Sequence, residues 1–113
     1  HRDLALQVCE YHTHCHRALE LRGKTILKLF NATGALRRPE RFEAFLRACE
    51  ADARGRLGFE DRAYPQADYL RQALTIALEV TAAPFQAQGS SGKALGQAMN
   101  DERVSKLEAL RNC

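Results

Sequence analysis

Three histidines occur together in the run Tyr-His-Thr-His-Cys-His, which begins at Tyr11. His12 and His16 are four residues apart, so on a helix they share one face, while His14 points elsewhere. Neutral imidazoles are common metal ligands, and this spacing therefore predicts a metal site in which His12 is the first candidate. The alternative is that these are surface or partly buried histidines hydrogen-bonded to their neighbours.

A second group of candidates is a series of arginines in the middle of the chain. Arginine near a helix C-terminus interacts favourably with the helix dipole, so capping and ion pairing explain the last members. The rival interpretation is contact with RNA phosphates, because a guanidinium group presents a rigid fork of donors to phosphate oxygens. The candidate RNA-binding residues are Arg37, Arg38, Arg41, Arg47, Arg54 and Arg56.

The chain lacks the motifs of a complete active site. The segment 89–93, Gly-Ser-Ser-Gly-Lys, is similar to a phosphate-binding loop, but it follows no predicted strand and lacks that motif's glycine spacing and final Ser or Thr. Neither Gly-x-Ser-x-Gly nor a paired-carboxylate motif occurs. The cysteines form no Cys-x-x-Cys pair, so we predict free thiols at Cys9, Cys15, Cys49 and Cys113.

Composition favours helices as the elements that position these residues. The 113-residue chain is 45% hydrophobic, is rich in Ala, Leu and Arg, and has three Pro and no Trp. We predict an all-α, bundle-like body of about five helices with a less firmly packed C-terminal helix. No apolar run of about eighteen residues and no secretory signal occurs, so we expect a cytoplasmic protein without membrane contact.

Apolar spacing and helix-breaking residues predict where the helices begin and end. Spacing of three or four predicts the first helix over residues 3–19. Thr25 is expected to cap a short second helix, which Asn and Gly close within residues 31–34. Pro39 and Pro65 fit the first turns of the third and fourth helices, where a missing N–H costs nothing.

The sequence pattern of the second half predicts that the chain is divided into a helical domain, a linker and a tail helix. Residues 1–84 are expected to form the helical domain, and residues 85–93, which are polar and glycine-rich, a flexible linker. Residues 94–113 are expected to form a tail helix. Its apolar positions are sparse, so we expect its packing partner to lie outside this chain.

Several ordered motifs in the first 72 residues resemble the bacterial multifunctional CCA-adding enzymes. Three carry most of the similarity: Lys24–Phe30, Arg38–Phe42 and Glu50–Arg56. Residues 2–5 and 64–66 are also similar. Their order along the chain makes the resemblance more specific than any single motif.

The resemblance implies a longer protein, and the helical pattern already under way at His1 also suggests a segment of one. A head domain would add C, C and A to tRNA 3′ ends from CTP and ATP with Mg²⁺. This chain would be the C-terminal helical part, including the end of a His-Asp (HD) metallohydrolase domain. The resemblance further implies 2′,3′-cyclic phosphodiesterase and phosphatase activity with a divalent transition metal such as Ni²⁺.

If the intact domain binds a metal, two residues of this chain are candidate ligands. His12 falls where a further histidine of the HD domain is expected, although Thr13 follows it in place of Asp. Asp52 is the best remaining carboxylate and the weaker candidate. The head's glycine motif and carboxylates have no counterpart, so we expect this chain to contact tRNA and to act as a scaffold.

Two other functions remain open. The first is a stand-alone, non-catalytic helical module that contacts nucleic acid or an acidic protein. The second, a small His-metal hydrolase, ranks last because the chain has too few ligands. A homo-oligomer is a further expectation, since apolar stripes without a partner would be covered by a second copy.

Overall fold

The computed structural model describes residues 2–55 and 63–112, with side chains from residue 4 onward. Within these ranges the chain forms helices and no strand, which confirms the all-α prediction. Five helices have eleven or more residues, one is short, and residues 18–20 form a single 3-10 turn. The helices are α1 Arg2–His16, α2 Gly23–Thr33, α3 Pro39–Arg54, α4 Pro65–Leu78, α5 Ala83–Ala87 and α6 Gly92–Arg111.

Local signals explain most of the helix ends. Pro39 and Pro65 occupy the first turns of α3 and α4, as predicted. Gly34 closes α2 in the left-handed conformation, with φ of 71°. The next N–H, of Ala35, then donates to the Phe30 carbonyl at 2.9 Å, which satisfies a carbonyl at the helix end.

The expected cap at Thr25 is wrong. Helix α2 begins two residues earlier, at Gly23, and Thr25 lies inside its first turn. The Gly23 N–H donates instead to the carboxylate of Glu108, a residue of α6. A side chain from a distant helix therefore provides the cap that the sequence pattern predicted from a local hydroxyl.

Three phenylalanines form the centre of the core. The ring of Phe42 lies edge-on to Phe30, with centroids 5.2 Å apart, and is stacked with Phe45 at 5.5 Å. All three side chains are at most 1% exposed. Burial of a phenylalanine stabilises a fold by about 1.5–3 kcal/mol, so this cluster joins α2 to α3 strongly.

Helix α6 finds its packing partners within this chain, contrary to expectation. It packs against α2 and α4. Its sparse apolar face buries one side chain completely, that of Leu107. Arg103 Nε donates to the Ala77 carbonyl at 3.1 Å, at the end of α4. The positive charge of Arg103 complements the negative end of the α4 dipole, and the Glu108 carboxylate complements the positive end of the α2 dipole.

The segment expected to be a flexible linker begins inside a helix. Helix α5, Ala83–Ala87, covers the first residues of 85–93. The division of the chain into three parts therefore stays a prediction. No helix in the described ranges is long and apolar enough to span a membrane.

The close approach of α6 to α2 predicts the effect of a single methyl group. A Cβ at Gly23 would lie 2.9 Å from the Val104 carbonyl oxygen, so Gly23→Ala should lower the free energy of unfolding by about 1–3 kcal/mol. The matched control is Gly96→Ala, since Gly96 lies within α6 with open space around it. That change should stabilise by about 0.5–1 kcal/mol. Urea denaturation measures both, and a stable Gly23→Ala protein would contradict the packing described.

A bidentate ion pair connects α3 to α4. Arg71 donates from Nε to Glu43 Oε1 at 2.9 Å and from Nη2 to Oε2 at 2.8 Å. Arg71 also donates to Asp68 at 2.7 Å, and Arg47 donates to Glu43 at 3.2 Å. The hydrogen bonds from Arg71 lower the pKa of the Glu43 carboxyl, against the opposing effect of partial burial.

This lowered pKa predicts a loss of stability in acid. The Glu43 carboxyl titrates at its ordinary value of 4.5 when unfolded and below it when folded. Stabilisation by the pair is therefore full above pH 4.5 and is lost as the pH falls through the folded pKa. Because both side chains are about one-third exposed, Glu43→Gln should cost on the order of 1 kcal/mol or less at pH 7.

The measurement is urea denaturation of wild type and Glu43→Gln at pH values from 7 to 3. The two free-energy curves should converge at the acid end. Glu20→Gln is the control, because the Glu20 pair with Arg17 is largely exposed. Parallel curves for wild type and Glu43→Gln would show that the pair contributes nothing.

Candidate functional site

A polar network joins α1, α3 and the start of α4. His16 Nε2 lies 3.2 Å from Asp52 Oδ2, and His16 Nδ1 lies 2.7 Å from the Tyr64 hydroxyl. The Tyr64 hydroxyl is also 3.3 Å from Cys15 Sγ. Gln66 Nε2 donates to the His16 carbonyl at 2.9 Å. Asp52 and Tyr64 therefore contact the two ring nitrogens of His16, and Gln66 contacts its backbone carbonyl.

The single hydroxyl proton of Tyr64 allows two arrangements of this network. When Tyr64 donates to Cys15, a doubly protonated His16 donates to both Tyr64 and Asp52. When Tyr64 donates to His16 Nδ1, a neutral His16 donates from Nε2 to Asp52. In both arrangements the Asp52 carboxylate accepts from His16, so Asp52 orients this imidazole.

Two buried thiols lie at the inner end of the network. Hydrogen bonding from Cys49 and from Tyr64 lowers the pKa of Cys15, although burial opposes it. The hydrogen bond to Cys15, together with burial, raises the pKa of Cys49. Burial, and then the hydrogen bond to Cys15, raises the pKa of Tyr64. Both cysteines are fully buried and free.

His12 lies in a groove between α1 and α3 that Asp52 also lines, together with Leu4, Ala5, Val8, Cys9 and Ala48. The rings of His12 and His16 are 5.7 Å apart, which agrees with a shared helix face. His12 Nδ1 lies 2.9 Å from the Val8 carbonyl and donates to it, which leaves the Nε2 lone pair free. Metal-binding histidines commonly have such a backbone partner.

The described residues do not complete a metal site around His12. Among residues 4–55 and 63–112, no three His, Cys, Asp or Glu side chains are close enough to hold one ion. Asp52, the expected second ligand, is engaged by His16. His14, as predicted, is exposed and lies outside the groove. The donor set of the described residues is therefore incomplete for a metal ion, and the ligand roles of His12 and Asp52 stay predictions.

The structure separates the candidate RNA-binding arginines into two kinds. Arg47 pairs with Glu43 and Arg54 with Glu50, each at 3.2 Å along α3. Arg56 lies outside the described residues. The other three line one open cleft, and within the described ranges none of them forms an ion pair: Arg37, Arg38 and Arg41.

We call this the arginine cleft, and it lies where α1, the end of α2 and the start of α3 meet. Besides the three arginines, it is lined by Gln7, Asn31, Ala32, Thr33 and Gly34. Gln7 Nε2 donates to the Thr33 carbonyl at 3.4 Å, so α1 contacts the end of α2. The N–H groups of Arg37 and Arg38 both donate to the Gly34 carbonyl. The turn that carries the arginines is therefore internally hydrogen-bonded.

Sequence reasoning missed several residues of these sites. Lys24 and Lys28 continue the positive charge along the exposed side of α2, on the same face as Asn31. Their spacing of four and then three is a signal that the sequence offered. No local signal pointed to Tyr64 or Gln66, which reach His16 from about fifty residues away.

Fold and site together define an all-helical protein with a His-Asp-Tyr network at one helix junction and a positively charged cleft at another. Close relatives bear the name Multifunctional CCA protein. The relative from Thioalkalivibrio sulfidiphilus is 54% identical over 111 residues, and that from Hahella chejuensis is 50% identical over 110. Similarity covers 98% and 97% of this chain, respectively. The chain is thus homologous to a part of the multifunctional CCA proteins, which confirms the resemblance.

This homology extends over a limited part of each relative. The chain spans 27% of the Thioalkalivibrio protein and 26% of the Hahella protein. No family model and no solved structure matches the chain.

The network around His16 predicts different effects for two tyrosine hydroxyls. Tyr64→Phe leaves His16 Nδ1 without its partner and should lower the free energy of unfolding by about 1–2 kcal/mol. Tyr69→Phe is the matched control, because the buried Tyr69 hydroxyl has no hydrogen-bond partner among the described residues. It should cost nothing. Equal losses in urea denaturation would contradict the role given to the Tyr64 hydroxyl.

Proposed function

We propose that this chain is a helical part of a tRNA nucleotidyltransferase, which adds CCA to tRNA 3′ ends from CTP and ATP with Mg²⁺. Within that protein the chain would bind tRNA and act as a scaffold in the cytoplasm. Homology to the multifunctional CCA proteins over nearly the whole chain is the observation that carries this proposal.

The charge distribution supports tRNA contact by this part. Lys24 and Lys28 lie exposed on α2, and the arginine cleft follows at the end of the same helix. We call these two lysines and the cleft's three arginines the basic face. Within residues 4–55 and 63–112 none of these five charges has a carboxylate partner, so they can attract a polyanion, and counterion release from the RNA then favours binding. Arg47 and Arg54 are poorer candidates, because each already has an acidic partner.

We also propose that the longer protein has metal-dependent phosphohydrolase activity, including 2′,3′-cyclic phosphodiesterase activity, with a divalent ion such as Ni²⁺. His12 would be this chain's contribution, since it lines the groove shared with Asp52 and its Nδ1 donates to the Val8 carbonyl, which leaves Nε2 free. Further ligands would have to come from outside the described residues. Asp52 would orient His16 in this arrangement.

Binding of this chain to a tRNA transcript should weaken steeply with salt. Fluorescence anisotropy across a salt series gives the slope of log affinity against log salt, which changes by about 0.7–0.9 for each phosphate that the protein ceases to neutralise. Lys24→Gln/Lys28→Gln should therefore make this slope shallower by about one to two phosphate equivalents. Arg47→Gln, whose charge is offset by Glu43, should leave it nearly unchanged.

Two results would count against the proposal. Binding that is insensitive to salt would exclude phosphate contact as its basis. If Arg47→Gln reduced the slope of log affinity against log salt as much as the double lysine variant does, overall charge would account for RNA binding and the basic face would not.

A further inference from the structure

We infer that the arginine cleft binds a terminal phosphate monoester of an RNA strand, while the lysines of α2 contact the internal phosphates of the same strand. This inference rests on the proposed RNA contact and names the group that one part of the basic face would bind. It assigns a separate role to Arg37, Arg38 and Arg41.

The charge in the cleft matches a monoester better than a diester. Three arginine residues line one cavity of about 350 Å³, and none has an ion-pair partner in the described part of the chain. An internal phosphodiester carries one negative charge and two free oxygens. A terminal phosphate carries nearly two negative charges and three strong acceptor oxygens at neutral pH, so it can accept hydrogen bonds from more of the guanidinium groups.

Backbone hydrogen bonds fix the turn from which Arg37 and Arg38 project before a ligand arrives. The Arg37 N–H donates to the Gly34 carbonyl at 3.1 Å, and the Arg38 N–H donates to it at 2.9 Å. Ala35, in the same turn, is fully buried. A turn fixed in this way loses little conformational freedom on binding, which leaves more of the interaction energy as affinity.

The neighbouring groups extend the recognition beyond the phosphate. No side chain caps the start of α3, so the positive end of its dipole adds to the potential beside the cleft. The Asn31 side chain, which lines the cleft, is exposed and can hydrogen-bond a ribose hydroxyl. Lys28 and Lys24 lie one and two helical turns before Asn31 on the same face of α2. An RNA strand whose terminal phosphate is bound in the cleft would therefore run from the cleft toward the start of α2.

The test compares three forms of one short RNA hairpin: with a 5′-phosphate, with a 3′-phosphate, and with hydroxyls at both ends. We expect one phosphorylated form to bind the chain about tenfold more tightly than the hydroxyl form. Arg37→Gln/Arg41→Gln should abolish this preference, whereas Lys24→Gln/Lys28→Gln should weaken binding of all three forms equally. Circular dichroism checks that these exposed substitutions leave the helices intact.

The outcomes separate this inference from the proposed function. Equal, salt-dependent binding of all three forms would overturn the inference and keep RNA contact. If no form binds, both RNA contact and this inference fail.

Discussion

The close approach of α6 to the start of α2 is the constraint on which the rest of the structure depends. Only a residue without a side chain fits at Gly23, where the backbone of α6 passes. Glu108 then caps α2, while Arg103 of the same helix holds the end of α4. Helix α2 is thereby fixed at its beginning. Near its other end, Phe30 packs in the core, and residues 31–34 line the arginine cleft at the surface.

Helix ends were predictable where the deciding residue is local. Pro39 and Pro65 mark helix starts because of their own ring geometry, and Gly34 marks an end because of its backbone freedom. The start of α2 was not predictable, because its cap comes from Glu108, 85 positions away. Thr25 had the right chemistry for a cap, but a contact between helices decided the boundary.

The candidate site was predictable to the same limited degree. Helical spacing placed His12 and His16 on one face, but it could not show that Asp52 contacts His16, which is 36 positions distant. The arginines illustrate the same limit. Arg47 and Arg41 look alike in the sequence, and only the structure shows that one has a carboxylate partner and the other lines a cleft. The sequence gives the chemical type of each side chain, whereas the partner of that side chain depends on which helices pack together.

The three thiols of the described chain differ sharply in access to solvent. Cys15 and Cys49 are sealed between α1 and α3, whereas Cys9 is exposed on the groove that His12 lines. Alkylating reagents therefore reach Cys9 in the folded protein, but reach the other two only when α1 separates from α3. A maleimide dye on Cys9 would sit beside His12 as a built-in reporter of this groove. Later modification of Cys15 and Cys49 would time the opening of the core.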